Sequence, residues 1–175
     1  PDSQQLINAF KISGRNVRGL GVGVFNGIAK ATHAEIDMGD NRMRQELTDP
    51  LTNYNAIVVD QNLKNNSYIS LINTNVSRSG KFYNANVLGT QFSFRDKSNT
   101  WGIEGSGSWN NKYGNSVIEI ENNNGFTSDI AIGKVSGNLT FSLENEIVSD
   151  NYDRNDFGFL RFNNTVESNA DISYN

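Results

Sequence analysis

The sequence has 175 residues, 36% hydrophobic and 19% charged, with a formal net charge of -4, a mean hydropathy of -0.54 and a pI near 5.0. Phosphate binding needs a concentrated basic face, and none is visible, so nucleic acid is excluded as a partner. The sequence holds no apolar run long enough for a transmembrane helix, and it contains no cysteine, which removes disulfide frameworks and thiolate metal sites but leaves the compartment open.

Asparagine takes about one position in six, well above ordinary usage, and favours turns and polar faces over long helices. In chain order, Phe10 and Ile12 oppose Lys11, Ser13 and Arg15 with period two, which predicts a first strand running into a tight link at Gly14-Arg15-Asn16-Val17. A long strand is predicted over Arg18 to Ile36. There Gly19, Gly21, Gly23, Gly27, Ala29 and Ala31 share one face opposite Leu20, Val22, Val24 and Ile28. Such bare positions mark a close approach by a bulky neighbour, an internal plug or a ligand, and internal packing is the preferred reading.

Long links follow at Asp37 to Leu51, Ser77 to Tyr83, Asn110 to Gly125 and Ser149 to Asp156. They alternate with tight links at Asn62 to Asn66, Asp96 to Asn99 and Lys134 to Gly137. Outer-membrane barrels sort their turns in this way, short on the periplasmic side and long outside. The expected fold is therefore all-β, an antiparallel up-and-down meander of about nine strands over residues 1–175, forming one segment of a transmembrane β-barrel.

Alternation assigns the faces of that segment. Leu88, Phe92, Phe94, Trp101, Ile103, Trp109, Leu139, Phe141 and Leu143 are expected to meet lipid. Lys11, Arg15, Gln91, Arg95, Glu104, Thr140, Glu144 and Glu146 are expected to face the lumen. Trp101 and Trp109 are eight residues apart, about 26 Å at strand rise, close to the spacing of the two aromatic girdles. Tyr54, Tyr68, Phe126, Phe157, Phe159 and Tyr174 fall near strand ends, where amphipathic rings suit the interface. A soluble β-sandwich also alternates, with its apolar side turned to a core.

Chemistry-bearing clusters are sparse, and the chain is read as non-enzymatic and without cofactor. His33 is the sole histidine and sits among alanines. Glu144 and Glu146 share a strand face about 6.6 Å apart, near the separation of a glycosidase pair, yet paired acids are ordinary on a water-facing wall. Asp150, Asp153 and Asp156, with Asn155, crowd one loop with oxygen ligands for a hard cation, but their spacing does not match an EF-hand loop.

Several stretches carry a family resemblance: Leu6 to Arg15, Gly19 to Asn26, Pro50 to Asn55, Asp60 to Val76 and Ser149 to Leu160. They resemble a family of Bacteroidota outer-membrane proteins in which a family-nine carbohydrate-binding-type domain precedes a large barrel similar to that of TonB-dependent receptors. The resemblance implies a middle section of that barrel, without the sugar-binding domain or the opening and closing strands. It implies location in the cell outer membrane. The expected partners are outer-membrane lipid, the remaining strands of the parent barrel or a membrane assembly, and glycans or other solutes handled at the cell surface. Two alternatives stay open, a soluble carbohydrate-binding sandwich and a barrel that only anchors an assembly.

Overall fold

The computed structural model describes residues 5–39, 42–114, 124–158 and 162–175. It is all-β and antiparallel, with no helix among the described residues. Strands β1 (Leu6–Arg15) and β2 (Leu20–Ala29) are followed by β3 (Thr32–Asp37), β4 (Met43–Asp49), β5 (Thr52–Asn62) and β6 (Tyr68–Arg78). Then come β7 (Asn84–Arg95), β8 (Trp101–Tyr113), β9 (Asn124–Lys134), β10 (Leu139–Val148) and β11 (Thr165–Tyr174). Nine of them form one sheet in the order β1-β2-β5-β6-β7-β8-β9-β10-β11, a meander in which every pair is antiparallel. Among the described residues β1 and β11 each pair on one side only.

Two sequence expectations need correction. The long strand over Arg18 to Ile36 is split between Ala29 and Thr32, and the expected link at Asp37 to Leu51 is a hairpin in which β3 and β4 form a separate two-stranded sheet. The register slips between Thr32 and His33, and Pro50, which has no N–H to donate, stands between β4 and β5. Pairing therefore cannot run unbroken from the large sheet into the hairpin.

Each tight link supplies the left-handed residue that a right-twisting hairpin requires. Gly19 has φ 85, Asn65 and Asn66 have φ 58 and 55, Asn99 has φ 54 and Gly137 has φ 96. Polar side chains close these turns: the Asn16 side-chain oxygen accepts from the Arg18 and Leu20 amides at 2.9 and 3.0 Å, and Asp96 accepts from Thr100 and Trp101 at 2.6 and 2.9 Å. The Ser98 hydroxyl, followed by these amides, holds the Asp96 carboxyl below its usual range.

The four turns are staggered in one direction. The first turn closes at Arg15↔Gly21, and Gly21 lies opposite Asp60; the second closes two residues further along β5, at Asn62↔Tyr68. Ser93, opposite Tyr68, is two residues short of the third closure at Arg95↔Gly102. Gly133, opposite Gly102, is one residue short of the fourth at Lys134↔Phe141. Five residues of slip over six strand steps correspond to strands leaning by about 30° from the normal to the line of turns, at about 3.3 Å per residue and 4.8 Å per strand.

Candidate functional site

The ladder sorts the strand side chains into two faces with opposite chemistry. Ile12 on β1, Val24, Ile57, Leu71, Leu88, Trp109, Phe126, Leu143 and Ile172 on β11 share the first face. In the nine-stranded sheet the only formally charged side chain on that face is Lys134, in the last pair before a turn, where its ammonium donates to the Leu139 carbonyl at 2.9 Å. Every other charged strand residue, from Lys11 and Arg15 on β1 to Glu167 and Asp171 on β11, is on the second face. There Arg15 pairs with Asp60, and Arg95 pairs with Glu104 at 2.9 Å.

All nine residues expected to meet lipid, Leu88, Phe92, Phe94, Trp101, Ile103, Trp109, Leu139, Phe141 and Leu143, lie on the uncharged face. All eight expected to face the lumen, Lys11, Arg15, Gln91, Arg95, Glu104, Thr140, Glu144 and Glu146, lie on the other. Trp101 stands edge-on to Phe141, ring centres 5.6 Å apart, at the tight-turn end, whereas Trp109 is opposite Phe126 four rows away. The apolar face is bare: Ile172 keeps 77% of its surface accessible and Leu143 56%. Gly105 lies on this face under the Phe92 ring, where an added Cβ would come within 3.1 Å of that ring, so it seats an aromatic, and no register shift accompanies it.

The charged face is partly roofed by the link between β10 and β11, which sequence reasoning treated as an outward loop. Gly125 lets it enter, because a Cβ there would fall 2.3 Å from the backbone of Asn151 and Tyr152. Tyr152 is buried, and its hydroxyl hydrogen-bonds to that of Ser108. The Asp153 amide donates to the Asn110 side chain at 3.1 Å. Phe157 packs against Phe25 and Tyr54, with ring centres 6.2 and 5.8 Å away, and Phe25 itself lies across Gly27. The bare glycine face of β2 thus receives internal aromatic packing.

Ion pairs fasten the same segment. Lys112 donates to Asp153 at 2.6 Å, Arg78 pairs with Asp156, and the Tyr83 hydroxyl donates to Asp156 at 3.1 Å. The Arg78 and Lys112 cations sit 4.7 and 5.1 Å from the Tyr83 ring centre. Burial works against the Asp153 carboxylate, but the Lys112 ammonium and the Asn155 amide outweigh it and hold its pKa below the usual range. Burial, reinforced by Asp156, pushes the Tyr83 hydroxyl up. The oxygen groups weighed for a hard cation have other partners here: Asp153 and Asp156 pair with Lys112 and Arg78, while the Asp150 backbone carbonyl accepts from the Asn163 side chain. Among the described residues no group of three or more acidic or histidine side chains could hold a metal. His33 is exposed on β3, and Phe159 lies outside the described residues.

Between this segment and the sheet is a cavity of about 470 Å³. Its wall carries the hydroxyls of Ser70, Thr74, Ser106, Ser108 and Thr127, and its roof is Tyr152, Arg154 and Phe157. A site of this make-up can hydrogen-bond a neutral, hydroxylated solute and stack an aromatic ring on it.

The register also forms a motif that composition alone conceals. Asn26, Asn55, Asn75, Asn86, Asn111 and Asn124 stand directly opposite one another on six consecutive strands of the uncharged face. Asn26 donates to Asn53 and Asn55 at 2.6 and 2.8 Å, Asn73 and Asn86 exchange bonds at 3.1 and 3.2 Å, and Asn111 donates to Asn124 at 2.7 Å.

Across residues 1–175 the sequence matches a family described as a domain of unknown function (DUF5916). The chain belongs to that family. No curated protein and no solved structure matches it. For this DUF5916 chain, function has to be argued from its own two faces.

Proposed function

We propose that the chain is a wall segment of an outer-membrane β-barrel, with the uncharged face against lipid and the charged face toward an aqueous lumen. The observation that carries this reading is the segregation of charge: across nine strands one face holds a single ammonium at its rim, and the other holds all remaining charged strand residues. Hydrocarbon imposes that asymmetry, since a cation at the bilayer midplane costs a barrel about 2–4 kcal/mol and one near the interface about 0–1. The lean of about 30° is near the tilt that barrel closure demands, and each edge strand leaves a row of backbone groups for the strands of a parent barrel. A soluble sandwich would need a second sheet across Leu143, Ile132 and Leu71, whereas the described strands form one large sheet and a hairpin.

The hydroxyl-lined cavity beneath Tyr152 and Phe157 supports passage or handling of neutral, sugar-like solutes on the lumen side, in keeping with the Bacteroidota glycan-associated barrels that the sequence resembles. Fractionation of cells producing the full-length parent is the test. Recovery in the outer-membrane fraction, released only by detergent, is expected; recovery in the soluble periplasm refutes the reading.

A further inference from the structure

The four tight turns share a charge pattern. From closing pair to closing pair they run over residues 15–21, 62–68, 95–102 and 134–141. Those stretches hold six cations, Arg15, Arg18, Lys64, Arg95, Lys97 and Lys134, against one carboxylate, Asp96, in a chain whose net charge is -4. Every tight turn thus carries at least one cation. Asp96 spends its oxygens on the Thr100 and Trp101 amides and the Ser98 hydroxyl, while Arg15 and Arg95 are paired with Asp60 and Glu104. Arg18, Lys64 and Lys97 stay exposed, outside every salt bridge among the described residues.

Apolar side chains accompany these cations. Val17 is 105% accessible beside Arg18, Leu63 45% beside Lys64 and Val135 42% beside Lys134. On the uncharged face the same end of the sheet carries aromatic rings: Phe94 and Trp101 adjoin the third turn, Phe141 closes the fourth, and Tyr174 lies opposite Leu139. Lys134 stands directly opposite Trp101. Rings at headgroup level, cations beside them and apolar groups reaching toward acyl chains make up a membrane interface. The cations are strung turn by turn along six strand steps, about 29 Å, rather than gathered in one place. A line of this kind follows the edge of a membrane; a folded protein would need a patch.

We propose that this rim is an anchoring surface for anionic phospholipid headgroups, each tight turn offering a cation to a phosphate of the leaflet it meets. The proposal rests on the membrane reading above, under which the tight turns lie on the periplasmic side. Lys and Arg lay their stems along the acyl boundary and raise their charge to the phosphates. Charge complementarity selects the headgroup, because a lipid with net negative charge gains from each cation what a zwitterionic one largely forgoes. At the opposite rim Arg78 and Lys112 are spent on Asp156 and Asp153.

The test uses the folded full-length parent in vesicles of phosphatidylcholine and phosphatidylglycerol, with spin-labelled versions of each lipid reporting the fraction that the protein immobilises. Phosphatidylglycerol is expected to be preferred by about fivefold at low salt, the factor that one cation near an anionic surface supplies. The preference should vanish at 1 M salt, where the Debye length is about 3 Å. The triple variant Arg18→Gln, Lys64→Gln and Lys97→Gln should lose most of it. A wild type with no preference, a preference that the triple variant keeps in full, or an acidic protein bound by the turns in place of lipid would each overturn the proposal while leaving the membrane reading intact. A parent that never enters the bilayer would instead refute that reading. Should the triple variant fail to fold, two single variants decide: Lys97→Gln should weaken the preference and Lys81→Gln, in the link between β6 and β7, should not, and equal effects overturn the proposal.

Discussion

Leu143 and Glu144 are consecutive residues of one strand, yet they belong to surfaces that obey different rules. Around Leu143 the ladder neighbours are Ile132 and Ala170; around Glu144 they are Ala131 and Asn169, with Glu146, Asp129 and Glu167 one row away. The first surface tolerates exposure of large apolar groups but admits charge only at its rim. The second pairs its charges, recruits an inward-folded segment and encloses a cavity. A soluble protein would hide the first surface and expose the second; the proposed barrel wall leaves both uncovered by protein because it gives each its own solvent.

The sharpest way to break this comparison is to move one charge across it. Ile130 is about 11 Å above the turn that closes at Lys134, on the uncharged face, whereas Ala131 faces Glu104 and Glu144. Ile130→Arg is expected to destabilise the parent barrel by about 2–4 kcal/mol in a urea titration in lipid vesicles, and Ala131→Arg by far less. Equal losses would abolish the distinction between the faces. Phe141→Arg, near the rim beside Trp101 and Lys134, should cost less than Ile130→Arg.

A second perturbation is confined to the charged face. A side chain at Gly125 meets the backbone of Asn151 and Tyr152, so Gly125→Ala should lift the β10–β11 link at a cost of about 1–3 kcal/mol, the usual toll of overpacking. Limited proteolysis should then cut near Arg154 in the variant and spare the wild type. Unchanged protection would mean that the link is held independently of this passage.

Acid provides a gentler probe of the same fastening. The Asp153 pKa is lowered on folding, so the stabilisation it brings is present above the ordinary carboxylate value and lost as pH falls through the lowered one. Hydrogen exchange of the segment should be constant from neutral pH down to about 4 after correction for intrinsic rates, and should quicken only below it. Loosening near pH 6 would point to a different group.

The smallest effect expected is at Glu146, which stands directly between Asp129 and Glu167. Like charges in opposed register repel, so Glu146→Gln should stabilise by a few tenths of a kcal/mol, about 0.2–1 at most. Destabilisation would show that this acid is tied to a cation.

Much of this was legible in the chain. Period-two alternation from Leu139 to Val148 fixed the face of every residue there, and asparagine and glycine marked all four tight turns. The division of Arg18 to Ile36 was hidden, because a one-residue slip at His33 leaves no compositional trace. The inward course of the β10–β11 link depends on Gly125, Ser108 and Lys112, remote in sequence, though a buried-type aromatic such as Tyr152 within an acidic loop was a signal. The asparagine row was present only as an excess of one residue type, since its alignment follows from staggered turns.

The central claim is that adjacent residues of one strand face different solvents. Spin labels on single cysteines at Ile130 and at Ala131, in the full-length parent reconstituted in bilayers, measure it directly through collision with oxygen, which concentrates in lipid, and with a water-soluble nickel chelate. Oxygen should dominate at Ile130 and the chelate at Ala131. Equal access of the chelate to both positions would contradict the account.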